Sequence, residues 1–427
     1  MFKKYIQHRL EKAVQKYFKK HPEVKLVVVA GSVGKTSTKI AIGTVLSQKL
    51  RVRLHEGNHN SEISAPLAIL GIEFPSSLRS VGQWREVFRA VKQRIQQPAD
   101  VDVIVQELGT DGPGQIPHFG TYLTPDIAVV TAVSPEHMEY FQTLDAVAAE
   151  ELSIVNVSKM ALINRDDIDG EYASNITNPN ITTYGTTDSA ENYFITDDYS
   201  FNDGFSGQFF ATGFVDGVAT TVHLVGDHSI RAAVAAGAVA VRLGFSLEEA
   251  AAGMQRIRAV NGRMNILRGV NNTTIIDDSY NSSPLAAASA LRVLYQLSAP
   301  QKIAVLGSMN ELGEVSASEH EAVGLLCDPA DLAHVVTVGE EAEKYLAPAA
   351  RSRGCHTVSF KTALEAGAYV NKFLEPGAAI LFKGSEGGIY LEEAVKIVLH
   401  STDDEKQLVR QSAEWLDKKR EFFSALS

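Results

Sequence analysis

The chain is poor in cysteine. Its 427 residues hold two, Cys327 and Cys355. They have no Cys-x-x-Cys spacing, which excludes a disulfide framework and a cysteine-based zinc site and leads us to expect a reducing cytoplasm. Long apolar runs are also missing. The most apolar stretch, residues 232–245, is alanine-rich, is broken by Arg242 and is shorter than the ~20 residues that cross a bilayer. The basic N-terminal segment carries no apolar core of the secretory kind, so the chain reads as soluble. Positive charge is in deficit: 40 Lys and Arg face 51 Asp and Glu, for a net charge of −11. That balance is poor for wrapping nucleic acid. Internal repeats, low-complexity tracts and the Asn-Lys-x-Asp run that specifies guanine are absent as well. What remains is an ordinary globular composition, 45% hydrophobic and 21% charged. At about 150 residues per domain, the length suggests two or three domains.

Residues 1–24 suggest one amphipathic helix. Phe2, Tyr5, Ile6, Leu10, Val14, Tyr17 and Phe18 recur near helical spacing among lysines and Arg9. Two readings stand: a helix packed on the body of the protein, or one lying on an anionic membrane surface. Short apolar runs then alternate with helical stretches. Residues 25–30 (KLVVVA), 101–108, 126–133 and 160–164 read as buried strands of a parallel sheet with crossover helices. Residues 178–224 alternate apolar and polar positions and predict antiparallel pairing, and 226–258 predict helix. A second series of strands follows at 274–277, 303–307, 335–339 and 379–383. The expected architecture is α/β. A central P-loop domain with a mostly parallel sheet (25–259) precedes a smaller Rossmann-like C-terminal domain (260–400), with a helical extension at 401–427. Trp415, Leu416, Phe422 and Phe423 are the residues expected to dock that extension.

The strongest local signal is Gly31-Ser32-Val33-Gly34-Lys35-Thr36-Ser37-Thr38. It follows an apolar strand and opens a helix, the context a phosphate loop requires. Gly31 and Gly34 let the backbone curl so that its amides, with the helix N-terminus, face phosphate oxygens. Lys35 would sit on the β- and γ-phosphates and the Thr36 hydroxyl on Mg²⁺. The position of the first glycine in the longer pattern is Val29, so the motif is the short Gly-x-x-Gly-Lys-Thr form. Glu107 ends a strand and precedes Gly109, which places a carboxylate at the ligand-binding edge of a parallel sheet. His137 follows another strand in Ser134-Pro135-Glu136-His137, and both are candidate Mg²⁺ ligands.

With these segments the sequence resembles the Mur ligase family of ATP-dependent carboxylate–amine ligases over roughly residues 25–400. The matching pieces are the phosphate loop, Asn58-His59-Asn60-Ser61-Glu62-Ile63, Glu107-Leu108-Gly109 and Ser134-Pro135-Glu136-His137. In the C-terminal part they are Gly262-Arg263-Met264, Asp277-Asp278-Ser279-Tyr280-Asn281, residues 306–313 (LGSMNELG) and Lys383-Gly384-Ser385. The last-but-one pair points to the branch that adds D-alanyl-D-alanine to a muramoyl peptide in peptidoglycan synthesis. The resemblance implies ATP and Mg²⁺ as cofactors and an acyl-phosphate intermediate that an amine displaces. It implies that residues 31–37, Arg263 and Asp278 bind the nucleotide, and that Thr36, Glu107, His137 and Glu151 bind metal. Asn60, Tyr280 and Asn281 would meet substrate. Lys35, Glu107, His137 and Lys383 would be catalytic, with two domains closing about a hinge near Val260. Its partners would be small-molecule acids and amino acids or dipeptides, in the cytoplasm.

Four departures from the family pattern stand out. Glu151 occupies the position where many members carry a carbamylated lysine; a solvated helix face is the alternative reading of that residue. The adenine-holding asparagines are replaced in Gly226-Asp227-His228-Ser229-Ile230-Arg231-Ala232. Glu386 follows Lys383-Gly384-Ser385 where an arginine is usual. About 24 residues precede the first strand, too few for a UDP-sugar domain. Two alternatives therefore remain open: a Mur-type ligase for another acid, of the folate or poly-amino-acid kind, and a non-catalytic nucleotide-binding protein of the same fold.

Overall fold

The buried apolar runs of the sequence become the central strands of two sheets. The structure, a computed structural model, describes residues 2–55, 57 and 59–426. Asn58 of the sequence motif lies outside them. The chain divides into two compact units. The first holds the chain up to Ser134, Thr143–Leu224 and His228–Arg258; the second holds Pro135–Gln142, Val225–Asp227 and the chain from Ala259 onward.

In the first unit the strands are β1 (Lys25–Ala30), β2 (Val52–Leu54), β3 (Val103–Glu107), β4 (Ile127–Val130) and β5 (Ala161–Asn164). They continue as β6 (Ile181–Gly185), β7 (Asn192–Ser200), β8 (Gly204–Phe210) and β9 (Val218–Val222). Among the described residues they form one sheet in the order β2-β3-β1-β4-β5-β6-β7-β8-β9. β2 to β7 pair in parallel, while β8 pairs antiparallel with β7 and β9. The expectation of antiparallel pairing over residues 178–224 holds for β7 to β9 and is corrected at β6. β6 joins in parallel because a crossover with a 3-10 turn at Gly170–Asn175 returns the chain to the same sheet end. Among the described strands of this sheet only β8, linked by short turns to β7 and β9 and antiparallel to both, runs in the opposite direction.

Helix α1 (Phe2–Lys20) packs on the first unit through Ile6, Leu10, Val14 and Tyr17, each no more than 2% exposed. Burying each is worth about 1.5–3 kcal/mol. Helices α2 (Lys35–Leu46), α3 (Ser64–Leu70), α4 (Val81–Gln96), α5 (Gln115–Gly120), α6 (Met138–Phe141) and α7 (Leu144–Leu152) follow. α1 rests on α3 and α4. Glu11 fixes it to α5 through His118, 2.6 Å away.

The second unit contains β10 (Asn265–Arg268), β11 (Thr274–Asp278), β12 (Lys302–Gly307), β13 (His334–Val338), β14 (Thr357–Phe360) and β15 (Ala379–Lys383). Their order is β10-β11-β15-β12-β13-β14, parallel except for β10. β2, β10 and β14 carry no sequence signal because they are three or four residues long and lie at sheet edges. The C-terminal helix Ala413–Leu426 docks on this unit through Trp415, Phe422 and Phe423 around Tyr390, with ring centroids 5.2–6.4 Å apart.

Candidate functional site

β1 sits between β3 and β4, with Val29 level with Glu107 on one side and Ala30 level with Val130 on the other. The strand order reverses here, and ligands of such sheets bind outside the carboxyl ends of the strands at that point. The loop after β1 needs both of its glycines, for different reasons. Gly31 has φ +118°, and a Cβ there would lie 2.3 Å from Thr131 Oγ1 and 2.8 Å from two backbone nitrogens. Gly34 has φ +86°, meets nothing closer than 3.9 Å and serves as the left-handed N-cap of α2. No side chain caps that helix end, so its first amides keep the polarity that draws an anion.

Lys35 folds back over the loop, with Nζ 2.5 Å from Gly31 O and 3.3 Å from Ser32 O. Thr36 Oγ1 donates to Glu107 Oε2 at 3.0 Å, and Asn60 Nδ2 donates to Glu107 Oε1 at 3.2 Å. A third partner was not foreseen. Lys39, one helical turn past Lys35, is 3% exposed and places Nζ 3.3 Å from Glu107 Oε2 and 3.3 Å from Gly57 O. The four-residue spacing from Lys35 is the only sequence signal that could have pointed to it. Glu151 is 1% exposed, and its Oε2 accepts from the Gly31 amide at 2.6 Å. The solvated-face reading of Glu151 is overturned: α7 turns that face inward onto the phosphate loop. The preceding Glu150 serves another loop, accepting from the Gly114 and Ile116 amides at 2.7 Å each.

The Thr36 hydroxyl and the Glu107 carboxylate are hard oxygen donors side by side at the end of an anion-binding loop. A partial shell of this kind fits Mg²⁺, which keeps waters and phosphate oxygens as its other ligands. In the segment where the family's adenine-holding asparagines are replaced, the helix Asp227–Arg242 sets Arg231 across Asp166 and Asp167, at 3.0 Å each.

In the second unit Asp278 and Lys383 are neighbours across β11 and β15, with Lys383 Nζ 2.9 Å from Asp278 Oδ2 and 2.5 Å from Asn281 O. Asp278 also accepts from the Met264 amide at 3.1 Å. Asp277 is fully buried. Burial pushes its carboxyl up to about 6, against the opposing pull of the Ser279 hydroxyl and amide. The Arg263 guanidinium lies 4.3 Å over the Tyr280 ring. Arg410, from the C-terminal extension, donates to Ser279 O at 2.9 Å and to Tyr280 O at 3.0 Å while forking onto the buried Glu392. Nothing in the motif marked Arg410, because its partners lie 130 residues away in sequence.

His137 also belongs to the second unit, with the rest of Pro135–Gln142. It has φ +50° and stands 2.6 Å from Glu311 and 3.4 Å from Glu136. Burial works against its charge, but the hydrogen bonds and charges of Glu136 and Glu311 outweigh that and lift its pKa to about 10. The imidazole is therefore held as a cation here. Glu311 is held below the usual glutamate range by the hydrogen bond from His137.

A family model described as the Mur ligase middle domain matches residues 29–240, and one described as the Mur ligase, glutamate ligase domain matches 262–386. UDP-N-acetylmuramoyl-tripeptide--D-alanyl-D-alanine ligase of Bacillus subtilis (strain 168) is 28% identical over 384 residues, which cover 88% of this chain and 76% of that one. The enzyme of that name from Escherichia coli (strain K12) is 27% identical over 323 residues. The match covers 74% of this chain and 65% of the relative, just under two thirds of its length. Among solved structures, MurF ligase from Thermotoga maritima in complex with ADP aligns with a TM-score of 0.74 at 22% identity, covering 95% of this chain and 85% of that one. Folylpolyglutamate synthase from Mycobacterium tuberculosis, complexed with ADP and AMPPCP, aligns with a TM-score of 0.63 at 17% identity, covering 90% and 94%.

Proposed function

The chain belongs to the Mur ligase family of ATP-dependent carboxylate–amine ligases, and from that premise we propose that it joins D-alanyl-D-alanine to a muramoyl-peptide acid in peptidoglycan synthesis. One observation carries the reading: the phosphate loop, Thr36, Glu107, Lys39 and Glu151 form a single hydrogen-bonded cluster at the carboxyl edge of β1 and β3. Phosphoryl transfer asks a protein for alignment and charge neutralisation more than for proton transfer. The amides that open α2 and the Lys35 ammonium supply fixed positive charge for a triphosphate. Thr36 and Glu107 would hold Mg²⁺, whose charge lowers the repulsion between the γ-phosphate and an incoming carboxylate. Glu151 keeps the Gly31 turn in place from behind. In the second unit Asp278 orients Lys383, a cation fitted to the carboxylate side of the reaction. We place the reaction in the cytoplasm, where ATP is supplied.

The test is direct. The protein is incubated with Mg-ATP, UDP-muramoyl tripeptide and D-alanyl-D-alanine, and phosphate release and product mass are followed. Dipeptide-dependent phosphate release with a product heavier by the dipeptide is the expected result. A second reading has its own observation: aligned as structures, the chain covers 94% of the folylpolyglutamate synthase and 85% of the MurF ligase from Thermotoga maritima. Turnover with folate-type or poly-amino acids, and none with the muramoyl peptide, would select it. An absence of turnover with every acid would sink both readings.

A further inference from the structure

The cations of this acidic chain are unevenly placed. Helices α1 and α4 carry eleven of the 40 Lys and Arg residues and two of the 51 Asp and Glu residues. All seven basic residues of α1 are exposed, as are Arg85, Arg89 and Lys92 of α4. The one acid of α1, Glu11, is buried against His118. The two helices therefore present ten exposed cations against one exposed acid, Glu86, on a molecule of net charge −11.

Its apolar content is also organised. The two helices lie side by side and run the same way. The Arg9 guanidinium sits 3.9 Å over the Phe88 ring near one end, and Lys20 Nζ donates to Gln96 O at 2.9 Å near the other. Counting back seven residues from Arg9 and Phe88 brings Phe2 level with Val81. That end exposes Phe2 (45%), Tyr5 (57%), Leu78 (48%) and Val81 (55%). The apolar stripe of α1 is already spent on the protein core, so these four side chains are a separate apolar tip beside a basic face.

We infer that this face is a docking surface for an anionic phospholipid bilayer. Basic side chains within a Debye length of such a bilayer each favour adsorption by about fivefold. An apolar tip a few side chains wide enters the headgroup region without spanning it. A soluble polyanion would use the charge but leave the tip in water. Among the described residues no helix is long and apolar enough to cross a membrane, so the contact is peripheral and reversible by salt.

The experiment is sedimentation of the full chain with vesicles of phosphatidylglycerol mixed into phosphatidylcholine, and with vesicles of phosphatidylcholine alone. Binding to the anionic vesicles is expected to be at least tenfold tighter and to fall away as salt is raised. The triple variant Lys4→Glu, Lys12→Glu, Lys16→Glu should weaken it roughly hundredfold. Its thermal midpoint should stay near wild type, because all three side chains are exposed. Phe2→Ser with Tyr5→Ser should leave the low-salt binding and remove what survives at intermediate salt. Equal partition onto both vesicle types would overturn the inference, as would a charge-reversed variant that binds like wild type. A single-stranded oligonucleotide that strips the protein from vesicles at matched phosphate concentration would overturn it in favour of nucleic acid. None of these readouts depends on the ligase reaction, so the two proposals fail separately.

Discussion

Glu151 Oε2 accepts a hydrogen bond from the Gly31 amide at 2.6 Å, across 120 residues of sequence and out of reach of solvent. A carboxylate thus stands behind the turn that shapes the phosphate loop. A hydrogen bond to a charged group contributes about 1.5–3 kcal/mol. Glu151→Ala is accordingly expected to lower ATP turnover about ten- to hundredfold and to raise the Mg²⁺ needed for half-maximal rate. Because this acid is encoded, whereas a carbamylated lysine draws its carboxylate from carbon dioxide, removing bicarbonate should leave the wild-type rate unchanged. Steady-state kinetics of Glu151→Ala that match wild type would remove this residue from the site.

The Lys39–Glu107 pair is buried on both sides, and breaking one partner of such a pair leaves an uncompensated charge at a cost of about 3–5 kcal/mol. Lys39→Met should lose that much stability in urea unfolding. Lys39→Met combined with Glu107→Gln should recover part of it, since the stranded charge is gone. Strict additivity of the two single changes would show that the side chains do not couple.

His137 gives the protein a pH signature. Its pKa is raised by folding, so the group binds a proton more tightly in the native state. Its contribution is present in full below the unfolded value of 6.5 and is lost as pH climbs through about 10. The stability difference between wild type and His137→Gln should be largest near pH 6 and shrink steadily above it. Glu311→Gln should pull the imidazole midpoint down, as read from its NMR titration. A His137 midpoint near the ordinary histidine value in the wild type would contradict the ion pairs.

The two loop glycines separate steric exclusion from backbone strain. Gly31→Ala drives a methyl into Thr131 and the backbone beside it, and should abolish nucleotide binding measured by calorimetry and lower the thermal midpoint by several degrees. Gly34→Ala has room for the methyl but must hold a left-handed backbone, a cost of about 1–2 kcal/mol. Nucleotide should still bind, more weakly. The reverse ranking would mean that the loop is built differently.

Arg410 ties the C-terminal extension to the Asp277–Asn281 segment. Arg410→Met should destabilise the chain, but by less than the about 3–5 kcal/mol of a fully stranded buried charge, because Lys419 Nζ stays 3.3 Å from Glu392 Oε1. Arg410→Lys should recover only part, since an ammonium cannot span both carboxylate oxygens and two carbonyls. Full recovery with lysine would show that charge alone matters there.

The phosphate loop and the central strands are legible in the sequence because their chemistry is local. β1 spans residues 25–30 as the apolar run does, and its right-hand end carries glycines whose backbone angles no other residue adopts cheaply. The edge strands are not legible. Three or four residues with one face in water leave no periodic signal. β6 was misread for a related reason: its direction is set by the crossover before it, which alternation does not encode.

Local sequence thus determined where a triphosphate has a fitted turn, and which residue types stand at the ends of β1, β3, β11 and β15. Tertiary structure alone decided that Lys39 faces Glu107, that Glu151 turns inward to Gly31, and that Arg410 returns to Ser279 and Tyr280. Spacing along a chain fixes what a backbone turn can do. Which buried charges meet is fixed by how helices and sheet edges pack, because an ion pair removed from water persists only where the partner has been carried to it.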